Sequence, residues 1–196
     1  MVRAKEAKEA KVLKAAAAVN GFAFRPIRLL RPLRATLSSG FQMTESFITK
    51  GGLWVVTQNL LSVAVVVLGP VFHSQWHHPA GIAVGVALFV AGGALGIAGV
   101  RALGASRSPY PQPLAHAQLV RTGVYRWVRH PLYGSLVLAS IGWGLLWQSG
   151  AALLVTPLLA ALLLAKSRRE EAWLRQQFPE YARYAASTRR LIPWVF

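Results

Sequence analysis

Leu119-Val-Arg-Thr-Gly-Val-Tyr-Arg-Trp-Val-Arg-His-Pro-Leu-Tyr-Gly134 sets a glycine turn, a tyrosine, an Arg-His pair and a proline immediately before a long apolar run. This order holds polar chemistry at the lip of a bilayer. Pro131 suits the first position of a helix, because its missing N–H would be unpaired there anyway. Arg129 and His130 then fall at a helix N-terminus, where donors suit an anionic group such as a carboxylate. Tyr133 lies one turn on and can point the same way, with Gly134 leaving room beside it. Taken alone, Arg129 and His130 read more simply as interfacial anchors on lipid phosphate, and Tyr133 as an aromatic-belt residue.

Around this stretch the apolar residues come in blocks rather than at amphipathic spacing, in a chain of 196 residues that is 54% hydrophobic. Blocks of that kind make lipid the solvent. A helix needs about 20 mostly apolar residues to cross a hydrocarbon core about 30 Å thick. Residues 53–72 and 81–100 meet that length, whereas 131–147 and 151–165 are shorter. Only Gln148-Ser149-Gly150 separates the last two, which predicts a tight helical hairpin whose ends are covered by protein or by a thinned bilayer. The fold class is therefore all-α: a polytopic membrane bundle of about four transmembrane helices, with a C-terminal hairpin and a cytoplasmic amphipathic tail. Gly81, Gly85, Gly92 and Gly96 put a stripe without side chains on one face of the second span, which implies a close helix partner. A partner within the bundle is simpler than a second copy.

Lysine and arginine number 22 against six acidic residues, for a net charge of +16, and all of these charges lie outside the apolar blocks. By the positive-inside rule both termini and the 101–130 connection face the cytoplasm, while 73–79 and 148–150 face outward. The basic residues suit anionic membrane lipids; no soluble basic face with a nucleic-acid motif accompanies them. Residues 1–42 read as a basic arm, helical or flexible, ahead of a membrane domain over 43–196, with Met43 as an alternative start. The chain has no cysteine, which removes thiolate chemistry and Cys-ligated metals. His73, His77 and His78 lie in the outward connection without a carboxylate nearby, so no metal site is expected.

Arg129-His-Pro-Leu-Tyr-Gly134, the distant pair Glu170 and Glu171, and the tail Phe178-Pro-Glu-Tyr-Ala-Arg-Tyr184 ending in Arg190-Leu-Ile-Pro-Trp194 together resemble the isoprenylcysteine carboxyl methyltransferase and phospholipid methyltransferase superfamily. The resemblance implies an integral-membrane enzyme that uses S-adenosylmethionine. It implies that Tyr125, Arg129, His130, Tyr133, Gly134, Glu170 and Glu171 bind this cofactor, and that a proline-bearing loop such as Ser108-Pro-Tyr-Pro-Gln-Pro113 crosses nearby. The acceptor is expected to be lipid-soluble, either an isoprenoid carboxylate or a phospholipid amine. A carboxylate needs little beyond alignment, whereas an amine needs a base for its proton, a catalytic role open to Glu170 or Glu171. Without the resemblance, Glu171 and Arg175 would be a surface i, i+4 pair contributing ~0.3–0.5 kcal/mol. Pro179 stands where the family usually has glycine and should start a new helix. Two other readings remain open: a nicotinamide-dependent reductase of the sterol-reductase type, which Leu132 and the glutamate pair argue against, and a non-catalytic membrane protein of the same fold.

Overall fold

A computed structural model describes residues 47–108, 110–113 and 117–191. The arm expected over 1–42 lies outside the described residues. Helix α1 runs Gly52–Val71, α2 Pro79–Leu103, α3 Pro131–Leu146, α4 Gly150–Gln177 and α5 Tyr181–Ser187. Single 3-10 turns at Gly104–Ser106 and Gly123–Arg126 punctuate the connection from α2 to α3. Three of these helices are long and apolar enough to cross a membrane, and the shorter apolar α3 accompanies them. At 1.5 Å per residue its 16 residues reach only ~24 Å, short of a ~30 Å core. Leu60 at 65% and Val90 at 62% exposure show how far α1 and α2 turn apolar side chains outward. Only a lipid surround makes such faces favourable, and the protein is an integral-membrane helical bundle.

The glycine stripe on α2 packs against α3, inside the chain. A Cβ on Gly92 would stand 2.7 Å from the backbone nitrogen of Ala139, and one on Gly142 only 2.5 Å from that of Phe89. The two backbones therefore touch, as small residues at membrane helix contacts permit. The contact is shifted one turn from the expected face: Gly99 meets Leu132, while Gly81 has no neighbour closer than 3.9 Å. Below this pair, Val137 packs with Leu159 and Leu163 of α4 to form the core.

The hairpin between α3 and α4 closes over Trp147-Gln148-Ser149, with Gln148 in the left-handed region at φ 52°. Ser149 caps α4 by accepting from the Ala152 N–H at 3.3 Å and donates to the Leu68 carbonyl at 2.9 Å. The connection between α1 and α2 ties to the same turn: the Ser74 and Gln75 N–H groups donate to the carbonyls of Trp147 and Gln148. One end of the bundle is thus a knitted cap of short loops. The opposite end gathers the long connection, the glutamate pair and the tail.

Beyond the apolar stretch that ends near residue 165, helix α4 continues unbroken to Gln177 and carries Lys166, Glu170 and Glu171 on its own last turns. Hydropathy falls at Lys166 while helical hydrogen bonding does not. The helix ends at Gln177, Phe178 to Glu180 make a turn, and α5 starts at Tyr181 with its tyrosines buried and Arg183 exposed.

Candidate functional site

The tail returns along the segment that precedes α3. Val128 and Arg189 form an isolated parallel β-bridge. The Arg129 N–H donates to the Arg189 carbonyl at 2.8 Å, the His130 N–H to that of Arg190 at 2.9 Å, and the Arg189 N–H to that of Trp127 at 2.9 Å. Chain segments sixty residues apart in sequence are thereby held side by side. Gly134 is needed for this closure, since a Cβ there would collide with the Leu191 carbonyl.

Glu171 sits behind the paired backbone with its side chain 1% exposed. Arg129 Nε donates to it at 3.0 Å and Arg190 Nε at 3.1 Å; His130 Nε2 lies 3.2 Å away, and Arg175 is a weaker partner at 3.5 Å. A buried carboxylate is tolerable only with such partners. The Arg129 guanidinium is engaged on two of its nitrogens: its Nη1 also donates to the carbonyls of Ala185, at 2.6 Å, and Thr188. Glu171 and Arg129 together fasten the tail to the start of α3.

Glu170 faces elsewhere. It accepts from the Tyr133 hydroxyl at 2.8 Å, His130 Nδ1 lies 3.6 Å away, and the Lys166 ammonium acts on it electrostatically. The His130 and Tyr133 rings stack with centroids 5.3 Å apart. A neutral imidazole donates to one glutamate only, an imidazolium to both. These groups line a cavity of about 810 Å³, counted out to its open mouth and including open solvent. Leu103, Leu132, Leu174 and Phe178 supply apolar walls, and Ser108, Tyr110 and Pro113 bring the proline loop to the rim.

The tyrosines around the cavity are held as neutral hydroxyls. Burial, reinforced by Glu170, pushes the Tyr125 phenol well up, and burial pushes Tyr184 up to about 12. Tyr184 donates to the Tyr125 carbonyl at 2.7 Å. Tyr181 is different: it lines the cavity, and its buried hydroxyl has no hydrogen-bond partner among the described residues. Such an orphan calls for a ligand or a water.

Of the residues expected at the site, Tyr125, Arg129, His130, Tyr133 and Glu170 line this one cavity. Gly134 and Glu171 do not line it; they hold the tail that closes it. Arg190, Thr188, Tyr181 and Tyr184 are the participants that sequence reading left without a role. The signals for Arg190 were its place at the head of the tail motif Arg190-Leu-Ile-Pro-Trp194 and the need of a glutamate near hydrocarbon for cations.

The phospholipid methyltransferase family profile matches residues 80–181, just over half of the chain, and takes in α2, α3, α4 and both glutamates. The chain is also similar to two metal-resistance proteins. It is 40% identical over 76 residues to a cobalt-zinc-cadmium resistance protein of Cupriavidus metallidurans, a stretch covering 38% of this chain and 35% of that protein. It is 29% identical over 155 residues to a nickel-cobalt-cadmium resistance protein of Alcaligenes xylosoxydans xylosoxydans, covering 76% of this chain and 68% of that one. With the family match lying on the helices that build the cavity, the chain belongs to the phospholipid methyltransferase family, membrane methyltransferases of the lipid-methylating kind.

Proposed function

We propose that the protein methylates the amine of a membrane phospholipid with S-adenosylmethionine, in the cavity over Glu170. One observation carries this choice of acceptor: the cavity holds an available carboxylate, while its one arginine, Arg129, is already engaged by Glu171 and two carbonyls. That balance favours a cationic or amine partner and disfavours an isoprenoid carboxylate.

The residues present fit the cofactor. Glu170 and His130 suit its ammonium and carboxylate, the orphan Tyr181 hydroxyl and Tyr125 suit its polar groups, and the leucines and Phe178 suit its apolar faces. When bound, S-adenosylmethionine supplies an electrophilic methyl group on a sulfonium. The chain's part is to align, to exclude water and to move one proton. Glu170 accepts a hydrogen bond from the acceptor in its ammonium form and takes one proton, leaving the neutral amine whose lone pair receives the methyl group. Tyr133 fixes the Glu170 carboxylate, and His130, stacked on Tyr133, fixes that ring. Glu171 acts through Arg129 and the tail as a positioning residue. By the positive-inside rule the basic connection and tail favour a cavity mouth on the cytoplasmic side, with the acceptor arriving from the bilayer.

The test is methyl incorporation from labelled S-adenosylmethionine by the purified full chain in vesicles. Label in phosphatidylethanolamine that disappears with Glu170→Gln is expected. Label only in an isoprenoid carboxylate offered alongside would contradict the assignment.

A further inference from the structure

A second hollow lies outside the reaction cavity, between the connection that precedes α3 and the exposed face of α5. Arg121, Arg126 and Arg183 line it together with Tyr184, Ser187 and Thr188, and it measures about 610 Å³ out to its open mouth. Three arginines therefore border one hollow. No carboxylate of the described residues lies within ion-pair distance of any of them: Glu171 is taken by Arg129, His130, Arg175 and Arg190, Glu170 lies by His130, and Glu180, three residues before Arg183, forms no ion pair with it. Arg126 instead lies over the Trp127 ring at 4.9 Å. The Ser187 and Thr188 hydroxyls already donate to the Tyr184 carbonyl, at 3.0 and 2.8 Å. The donors facing the hollow are therefore the arginines.

Like charges gathered without a counter-charge repel, and an anion removes that repulsion. Guanidinium forks match the oxygens of a phosphate in pairs, which a lysine cluster would not do. The level in the membrane also fits. Trp127 is half exposed and stands four residues before the first residue of α3, where an aromatic-belt residue marks the headgroup region. We propose that Arg121, Arg126 and Arg183 form a phosphate-binding site, open to a lipid headgroup phosphate or to a free phosphate. The site stands on geometry separate from the methyl-transfer reading, although Tyr184 and Thr188 connect the two: Tyr184 lines both cavities, and Thr188 accepts from Arg129. A phosphate held here would sit beside the wall of the reaction cavity.

The experiment is calorimetric titration of the full chain in a neutral detergent with short-chain phosphatidic acid and, separately, with inorganic phosphate. Wild type is compared with Arg183→Gln and with the double variant Arg121→Gln/Arg126→Gln. All three side chains are exposed, and an unchanged thermal midpoint verifies folding. Saturable binding that weakens about tenfold in Arg183→Gln and further in the double variant supports the site. Equal affinity for both ligands assigns a general phosphate site, and binding of the lipid alone assigns the headgroup. Absence of binding to wild type, or wild-type affinity in both variants, overturns it. S-adenosylhomocysteine titrated into the same samples should bind all three alike, so a failure of the methyltransferase reading appears separately from a failure of the phosphate site.

Discussion

Glu170 and Glu171 are adjacent in sequence and opposite in environment. The ~100° between successive helical residues turns Glu170 to the cavity, where it accepts from Tyr133 at 2.8 Å, and turns Glu171 to the buried side, where Arg129 and Arg190 reach it at 3.0 and 3.1 Å. One carboxylate is left for a ligand, and the other ties three chain segments together. Their substitutions should therefore separate.

Glu171→Gln keeps the size but removes the charge that compensates Arg129 and Arg190. Breaking one side of a buried ion pair costs about 3–5 kcal/mol, here against docking of the tail. The expected result is a lower thermal midpoint and rapid trypsin cleavage at Arg189 and Arg190, with cofactor affinity falling as a consequence. A protease pattern and midpoint like those of wild type would show that Glu171 is not the fastening.

The contact between α2 and α3 should be intolerant of added side chains at a specific place. Gly92→Leu drives atoms into the Ala139 backbone, and overpacking of this kind costs about 1–3 kcal/mol. Gly93, one residue on, has nothing within 4 Å of a Cβ, so Gly93→Ala should be neutral or stabilising by up to about 1 kcal/mol through helix propensity. Thermal unfolding of the two variants in detergent decides; equal midpoints would mean that the helices do not meet there.

The charge distribution predicts a topology that labelling can test. Because the chain lacks cysteine, single thiols report location without background. Ser74→Cys in the short connection after α1 should react with an impermeant maleimide in intact cells. Ala186→Cys on α5 should react only after permeabilisation, and the reverse pattern would invert the orientation.

The helices were legible because apolar blocks state their positions, and Arg129, His130 and Tyr133 of the motif, with Glu170, do share a cavity. The extent of α4 was not legible, since Lys166-Ser-Arg-Arg ends the hydropathy signal while the helix runs on to Gln177. The α2 stripe showed a packing face, but Gly99 rather than Gly81 completes it because α3 starts beside Leu132 and ends before Gly81. Least legible was the pairing of 127–130 with 189–190. Backbone bonds between segments sixty residues apart leave no local pattern, and so the difference between Glu170 and Glu171 was invisible until the tail was in place.

The central claim is that the cavity over Glu170 receives S-adenosylmethionine, and equilibrium binding of S-adenosylhomocysteine to the purified full chain tests it most directly. Wild type should bind saturably at one site. Glu170→Gln should lose one charge-assisted hydrogen bond of roughly 1.5–3 kcal/mol, or about ten- to a hundredfold in affinity, with an unchanged thermal midpoint. Failure of wild type to bind, or wild-type affinity in a folded Glu170→Gln variant, would contradict the account.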